Sequence, residues 1–278
     1  MKERLDILLV KRGFFPDKDK AARAIMAGLV VVDDRRVDKA GTMIKIEDEP
    51  SIRIKGDNLK YVSRGGLKLE KAVTAFRLDF SNKKVLDVGA STGGFTDCAL
   101  QNKALFVYSV DVGTNQLDWK LRNDPRVKSI ENRHINDLTK DEIDGSIIDY
   151  IVMDVSFISI KKILPDLLTF FNPETKLMAL IKPQFEANKE DIAKGGIVKD
   201  EKVHKEIIKD IVEFAKEHGL YLENLDFSPI TGTKGNVEYI SLFGVDKLKE
   251  KEIDIDDIVN KGRNLGGTIW KTYSKRNG

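Results

Sequence analysis

The stretch from residue 84 to residue 95, KVLDVGASTGGF, constrains the fold more than any other part of the chain. It indicates a short apolar strand that ends near Asp87 and breaks into a loop containing Gly89, Gly93 and Gly94. Glycines let such a loop turn tightly and approach a ligand closely before a helix begins. The spacing matches neither the dinucleotide fingerprint G-x-G-x-x-G nor a P-loop ending in Lys-Ser/Thr. We therefore predict a pocket for an adenosyl ligand without phosphates, with a purely architectural turn as the alternative.

Strands and helices alternate after the glycine loop, which predicts an α/β fold with a mostly parallel, doubly wound sheet. Four charged residues stand at or just past predicted strand ends: Asp87, Asp111, Asp154 and Lys182. Because the carboxyl ends of parallel strands share one edge, we expect these side chains to converge on one rim. Glu238 would face the same crevice if the last strand inserts antiparallel. Strand-end carboxylates that only cap the next helix are the alternative.

The composition restricts the class of protein. A chain of 278 residues with 41% hydrophobic residues can build one large core and a smaller second domain. No segment approaches the roughly 18 apolar residues that span a bilayer. The first residues are too charged for a signal peptide, which predicts a cytoplasmic protein without a membrane partner. A single cysteine, Cys98, and three histidines predict neither disulfide bonds nor a metal site.

The front of the chain is basic, since residues 1–60 hold 14 Lys and Arg against 11 Asp and Glu. Two amphipathic helices, the second capped by Asp17 or Asp19, precede short strands, which predicts a small α+β domain. The motifs RLDILLVKRG and KAARAIMAGLVVVD resemble the RNA-binding domain of ribosomal protein S-four over about residues 1–56. A solvated charged surface is the alternative reading.

That resemblance implies that basic side chains contact RNA phosphates, which positions the RNA without reading its sequence. Asp17 and Lys18 stand where relatives usually carry Ser-Arg, which weakens the expected phosphate clamp. The implied contacts are Arg4, Lys18, Lys20, Arg23 and Arg36.

Turn-forming residues mark the passage into the second domain. We predict a linker over residues 57–66, with Arg64 as a further RNA contact, a catalytic domain over residues 67–245 and a charged tail over residues 246–278. Lys68 falls at the start of a predicted helix, where the helix dipole disfavours an unpaired cation, so we expect an anionic partner for it.

The glycine loop and the order of elements resemble class I S-adenosylmethionine-dependent methyltransferases, over about residues 62–245. The resemblance implies a Rossmann-like, seven-stranded sheet and S-adenosylmethionine as the cofactor. In that class, the acid at the second strand end binds the ribose and residues after the third strand hold the adenine, which implies Asp111 and Asn132. The remaining implied cofactor contacts are Asp87, Gly89, Ala90, Ser91, Thr92, Gly93, Gly94, Phe95 and Asp154.

The residues after the fourth strand discriminate between methyl acceptors. Methylation of a base amine usually needs D/N-P-P-Y, and methylation at pyrimidine C5 needs a nearby cysteine nucleophile. This chain has Asp154-Val155-Ser156-Phe157 there, and no cysteine nearby. A ribose 2′-hydroxyl instead needs groups that remove or steer a proton, and two lysines with two carboxylates can do this.

Four local motifs, YVSRGGLKL, VMDVSFIS, LIKPQFE and NVEYI, resemble the Lys-Asp-Lys-Glu tetrad of FtsJ-like ribose 2′-O-methyltransferases. The resemblance implies a catalytic tetrad of Lys68, Asp154, Lys182 and Glu238. Lys182 is the candidate base if burial and the positive sulfur of the cofactor remove its charge, whereas Asp154 opposes that loss and orients the ammonium group. The sequence does not rank these two effects. Lys68 and Glu238 would complete the set that orients the hydroxyl.

Nearly the whole chain resembles the TlyA family. The family implies 2′-O-methylation of cytidine in 16S and/or 23S ribosomal RNA within ribosomal subunits, and it also carries the label haemolysin. Relatives often have R-x-W-V between the domains, whereas this chain has Asn58-Leu59-Lys60-Tyr61-Val62. A membrane-active haemolysin and a non-catalytic ribosome assembly factor are the alternative functions. Trp270 is expected either to pack on the body or to stack on RNA, and the oligomeric state is left open.

Overall fold

The computed structural model describes residues 2–12, 14–15, 17–33, 35–47, 50, 52–54, 60–232 and 235–274, without the side chains of Arg53 and residues 265–274. The chain divides into two compact units, Met1–Leu59 and Lys60–Gly278. Three features predicted from the sequence lie outside the described part. They are linker residues 57–59, the side chain of Trp270 and the end of the tail after residue 274.

The first unit is the predicted small α+β domain. Strand β1 pairs antiparallel with β4, and β2 pairs with both β3 and β5. Leu5, Leu9 and Ile25 fill its core because they lie on the inward faces of the two helices. Asp17 caps the second helix and accepts the Lys20 amide at 2.7 Å. The elements are β1 (Lys2–Arg4), α1 (Leu5–Lys11), α2 (Lys18–Met26), β2 (Val30–Val32), β3 (Arg35–Arg36), β4 (Met43–Lys45) and β5 (Ile52–Ile54).

The second unit alternates strands and helices around one large sheet. Its strands are β6 (Lys84–Val88), β7 (Phe106–Val110), β8 (Val127–Ile130), β9 (Tyr150–Met153), β10 (Lys176–Ile181), β11 (Ile192–Ala193), β12 (Ile197–Val198), β13 (Tyr221–Phe227) and β14 (Tyr239–Gly244). Its helices are α3 (Gly65–Phe76), α4 (Gly94–Gln101), α5 (Trp119–Arg122), α6 (Ile160–Leu167), α7 (Pro183–Glu186), α8 (Glu201–Glu217) and α9 (Ile255–Ser274).

The large sheet has seven strands in the order β13-β14-β10-β9-β6-β7-β8. The strands from β6 to β10 run parallel, and β14 runs antiparallel to both β10 and β13. A separate pair, β11 and β12, forms a short antiparallel hairpin. The predicted fold class is therefore confirmed. The last strand inserts antiparallel, which is the condition under which Glu238 was expected to face the crevice.

Both faces of the sheet are covered, which explains why β6 has apolar residues on both of its sides. Successive residues of a strand point to opposite faces. Val85 therefore joins a cluster with Leu69 of α3 and Cys98 of α4, whereas Leu86 joins a second cluster with Ile163 of α6. Burying each such aliphatic side chain stabilises the fold by roughly 1.5–3 kcal/mol.

The segment just before α3 is part of the second unit. The backbone amide of Val62 donates to the Asp97 carboxylate at 2.8 Å, and the side-chain Nε2 of Gln101 donates to the Lys60 carbonyl at 2.8 Å. Tyr61 is buried, and a side chain at Gly66 would collide with its ring. The second unit thus begins at Lys60, ahead of the domain boundary at residue 67 predicted from the sequence.

The predicted charged tail contains a helix that packs on the second unit. Val259 of α9 is fully buried, and Gly262 lies against Phe227 and Val237. Charged side chains on the same helix form ion pairs with α8, between Arg263 and Glu201 and between Asp256 and Lys205.

Candidate active site

The glycine loop follows β6 and passes tightly beside the end of β9. Gly89 adopts a φ of +81°, and a Cβ at this position would lie 2.8 Å from the Asp154 carbonyl oxygen. The amides of Gly89 and Ala90 both donate to the Val110 carbonyl of β7, at 2.9 and 3.1 Å. Only glycine fits this backbone and this space, so the loop is held against the neighbouring strands without side chains.

The turn at residues 63–66 lies directly on the start of α4. A Cβ on Gly94 would stand 2.3 Å from Ser63 Oγ, 2.8 Å from the Gly66 nitrogen and 3.2 Å from the Gly65 Cα. Because this turn leads into α3, the contact fixes α3 against the glycine loop. It thereby brings Lys68, in the first turns of α3, to the strand ends.

The four predicted tetrad residues converge in one charged row, in the order Glu238, Lys68, Asp154 and Lys182. Lys68 Nζ lies 2.7 Å from Glu238 Oε2 and 3.3 Å from Asp154 Oδ2. Lys182 Nζ lies 2.5 Å from Asp154 Oδ1 and donates to Ser156 Oγ at 2.9 Å. The side chains of Lys68, Lys182 and Glu238 are 10%, 8% and 3% exposed, and that of Asp154 is 19% exposed.

Asp154 and Lys68 stabilise each other in their charged forms. Burial raises the pKa of Asp154, but the charges of Lys68 and Lys182 outweigh burial, so its pKa lies below the ordinary value. Burial lowers the pKa of Lys68, but Asp154 and Glu238 together hold it above the ordinary value. Lys68 is therefore a fixed cation between two carboxylates, whereas Lys182 contacts one carboxylate and a neutral hydroxyl group.

Asp111 and Asn132 lie at the same edge of the sheet. Asp111 accepts the Ser91 and Gly113 amides at 2.7 Å each, so it connects β7 to the glycine loop. The Asn132 amide donates to the Gly113 carbonyl at 3.0 Å, and its side chain is exposed. Val112, next to Asp111, is also exposed. These residues form an open surface beside the glycine loop.

Other predicted cofactor residues are turned into the protein. Phe95 is buried in the cluster between the sheet, α3 and α4. A Cβ on Gly93 would collide with Leu121 and Leu117, so this glycine faces the core. The carbonyl of Thr92 accepts the Asp118 amide at 3.1 Å.

Asp87 is buried beneath the loop, beside α4. Its Oδ2 accepts the Thr96 hydroxyl at 2.6 Å, and Oδ1 has no hydrogen-bond donor among the described residues. Burial, reinforced by the charges of Asp154 and Asp111 and opposed by the Thr96 hydrogen bond, raises the pKa of Asp87 to about 7. The folded protein therefore holds a proton on this carboxyl group that the unfolded chain, with a pKa near 3.8, releases.

This difference predicts a pH-dependent stability. The stability that Asp87 contributes is fully present below about pH 4 and is lost as the pH rises from about 4 to about 7, because in this range the unfolded chain releases the proton and the folded protein keeps it. We expect Asp87→Asn to remove this dependence. Between pH 5 and 8, wild type should lose roughly 3 kcal/mol more unfolding free energy than the variant.

Urea denaturation of both proteins at pH 5 and pH 8, followed by circular dichroism, measures this difference. Equal losses of stability in the two proteins between these pH values would contradict the assignment.

Phe157 is a candidate site residue that is not among those predicted from the sequence. It follows Asp154 by three residues, its side chain is 75% exposed, and its backbone has a φ of +64°. Its ring packs against that of Phe185, with centroids 5.1 Å apart. A bulky residue in this backbone region costs roughly 1–3 kcal/mol and marks functional loops. An aromatic residue just after a strand-end acid is the sequence signal that could have identified it.

The basic side chains of the first unit that are predicted to contact RNA have different neighbours within the protein. Arg4 donates to Asp6 at 3.1 and 2.7 Å, and Lys18 Nζ lies 3.9 Å from the same buried carboxylate. The guanidinium of Arg36 lies across Gly28, where a Cβ would be 2.0 Å from Arg36 Nη2. All three side chains stay exposed to a partner, as do those of Lys20, Arg23 and, in the second unit, Arg64.

The sheet order, the glycine loop after β6 and the ion-paired row at the strand ends define a class I methyltransferase. Residues 61–245 match the FtsJ-like methyltransferases, and residues 3–50 match the S4 domain. The chain belongs to the TlyA family, which combines these two parts.

Several relatives match most of the chain. The candidate rRNA methyltransferase YqxC of Bacillus subtilis is 49% identical over 239 residues, 86% of this chain and 84% of that protein. The 16S/23S rRNA (cytidine-2′-O)-methyltransferase TlyA of Mycobacterium tuberculosis is 38% identical over 237 residues, 85% of this chain and 87% of that protein. The solved structure of a candidate hemolysin from Streptococcus thermophilus is 40% identical, with a TM-score of 0.79, and the match covers 97% of this chain and 98% of that one.

Proposed function

We propose that this methyltransferase transfers a methyl group from S-adenosylmethionine to the 2′-hydroxyl of a cytidine in 16S or 23S ribosomal RNA, or in both, within ribosomal subunits of the cytoplasm. The observation that carries the proposal is the buried row of Glu238, Lys68, Asp154 and Lys182 at the strand ends. The name of the M. tuberculosis relative supports the choice of cytidine and of ribosomal RNA.

The surface beside the row fits the cofactor. Gly89 lets the backbone of the glycine loop lie against the Asp154 carbonyl at the end of β9, and the exposed Val112 offers an apolar face beside the Asp111 carboxylate. Asp111 would bind the ribose, Asn132 the adenine, and the loop backbone the methionine part. When bound, S-adenosylmethionine supplies a methyl group on a positively charged sulfur.

The chain's own residues then handle the acceptor proton. Lys182, in its neutral form, accepts the proton of the 2′-hydroxyl at Nζ, and Asp154 and Ser156 orient that nitrogen. Lys68 keeps its charge between Asp154 and Glu238, and it fixes Asp154 in position. A fixed, water-poor arrangement of this kind favours an in-line approach of the hydroxyl oxygen to the methyl carbon.

Phe157 supplies a surface for the base of the target nucleotide. An exposed aromatic ring beside the tetrad can stack on a base that has been taken out of its RNA helix, which is worth about 1–3 kcal/mol per base. The basic side chains of the first unit, with Arg64 of the second, would bind phosphates and position the RNA.

The test is transfer of tritiated methyl groups from S-adenosylmethionine to isolated 30S and 50S ribosomal subunits. We expect incorporation into ribosomal RNA, and we expect primer extension at low nucleotide concentration to stop next to one cytidine per modified RNA. Digestion to nucleosides should give 2′-O-methylcytidine. A product methylated on the base would contradict the role of the tetrad.

The haemolysin alternative rests on the names of relatives. Within the described residues, no helix is long and apolar enough to cross a membrane. The methyl transfer assay separates the two functions, because a lytic protein without catalysis would leave the RNA unlabelled.

A further inference from the structure

The loop that carries Phe157 is held from both sides by the segment from Lys182 to Glu186, which consists of the end of β10 and helix α7. On one side, Lys182 Nζ donates to Ser156 Oγ at 2.9 Å. On the other side, the Glu186 carboxylate accepts the Ser159 hydroxyl at 2.5 Å and the Ile160 amide at 2.8 Å. The strained residue Phe157 lies between these two attachments.

Glu186 acts at the start of α6. Ile160 is the first residue of that helix, so its amide lacks an acceptor within the helix, and a carboxylate at this end also favours the helix dipole. Ser159 is the cap residue of the helix and accepts the Lys161 amide at 3.1 Å. Glu186 therefore fixes both the backbone and the cap side chain at the point where the Phe157 loop ends.

A second contact joins the Phe157 loop to α7. The rings of Phe157 and Phe185 pack at 5.1 Å, although Phe157 itself is largely exposed. A positive φ at a phenylalanine persists only when the surrounding structure enforces it. Phe185 supports the ring and Glu186 the backbone, and these residues are adjacent in the KPQFE motif.

We propose that Glu186 is a positioning residue for the methyl acceptor: by holding Ser159 and Ile160, it keeps Phe157 in the backbone conformation that presents its ring to the target base. The inference rests on the proposed function, since it assumes an RNA base at Phe157. It assigns Glu186 no contact with RNA or with S-adenosylmethionine.

The expected kinetic signature is specific. Glu186→Ala should lower kcat/KM for ribosomal subunits about 10- to 100-fold, because small displacements of a positioning group have effects of this size. The dissociation constant for S-adenosylmethionine should stay within about twofold. Glu186→Gln should restore activity to within about threefold, because its amide can still accept from Ile160 and bond with Ser159.

A double-mutant cycle separates positioning from general structural damage. If Glu186 acts through Phe157, then Glu186→Ala should add less than about a threefold loss in a Phe157→Ala background. The proposal would be overturned if the loss of kcat/KM in the double variant equalled the product of the losses in the two single variants, or if Glu186→Ala also lost affinity for S-adenosylmethionine. Ser159→Ala, which keeps the Ile160 contact, replaces Glu186→Ala in the cycle if the latter does not fold.

Hydrogen exchange tests the inference independently of activity. In Glu186→Ala, the Ile160 amide should exchange at least about tenfold faster than in wild type, while amides of β10 keep their protection. Unchanged exchange at Ile160 would overturn the positioning role. Failure of wild type to methylate RNA would instead contradict the proposed function, and the exchange result would still report on the contact.

Discussion

Replacing Lys182 with alanine is expected to lower the rate of methyl transfer to ribosomal RNA by roughly 10²- to 10⁴-fold, the range for loss of a proton-transferring side chain. Lys182 Nζ lies at one end of the row, 2.5 Å from Asp154 Oδ1 and 2.9 Å from Ser156 Oγ. The other lysine of the row cannot replace it, because Lys68 is fixed between two carboxylates. Asp154 keeps Lys68 as a partner in the variant, so the site should remain folded.

Single-turnover transfer of labelled methyl groups measures this loss, and isothermal titration calorimetry measures S-adenosylmethionine binding. We expect the cofactor affinity of Lys182→Ala to stay within about threefold of wild type. Lys202→Ala is the matched control, because Lys202 is exposed and its ammonium group pairs, among the described residues, only with Glu206 on the surface of α8. A Lys182→Ala protein that keeps more than about a tenth of the wild-type rate would remove Lys182 from the chemistry.

Gly94→Ala is expected to lower stability by roughly 1–3 kcal/mol, as overpacking does, and to weaken S-adenosylmethionine binding at least about tenfold. The added methyl group would stand 2.8 Å from the Gly66 nitrogen and 3.2 Å from the Gly65 Cα. Ser63 can rotate away, but these backbone atoms cannot move unless α3 moves with them. The displacement would separate Lys68 from Asp154, so methyl transfer should fall as well.

Gly65→Ala provides the comparison on the other side of the same contact. A Cβ on Gly65 would have its nearest neighbour, Ser63 Oγ, at 3.4 Å, which is ordinary contact. We therefore expect its unfolding free energy and cofactor affinity to stay near those of wild type. Thermal unfolding compares the stabilities of the two variants, and isothermal titration calorimetry compares their affinities for S-adenosylmethionine. Equal effects of the two substitutions would mean that the turn does not press on α4.

The architecture of the second unit was predictable because it follows from local patterns. The apolar run of β6 indicates a strand buried on both faces, and strands that alternate with helices require parallel pairing. Asp154 and Lys182 meet because β9 and β10 are parallel neighbours, so that their carboxyl ends share an edge. Glu238 joins them because β14 runs antiparallel to β10, so that its start lies at that same edge.

The remaining features depend on contacts between distant segments. The start of α3 and the turn before it pack closely on Gly94, and no local pattern in either segment predicts this contact. The glycine loop looks uniform in sequence, yet Gly89 faces the strand ends, whereas Gly93 and Phe95 face the core. The left-handed backbone of Phe157 is likewise enforced by a neighbouring loop, because phenylalanine has no preference of its own for that conformation.

The hydrogen bond between the Val62 amide and Asp97 has a practical consequence for dividing this protein. A fragment that begins at residue 67 would retain all four tetrad residues, but it would lose the buried Tyr61, the first two residues of α3 and the Val62 amide that donates to the buried Asp97 carboxylate. Leaving such a buried polar group short of a partner costs about 1–3 kcal/mol. Residues 60–66, which the sequence predicts to be part of a linker, are therefore a packed part of the second unit. In any truncation, fusion or domain exchange, the junction should therefore be placed before Lys60.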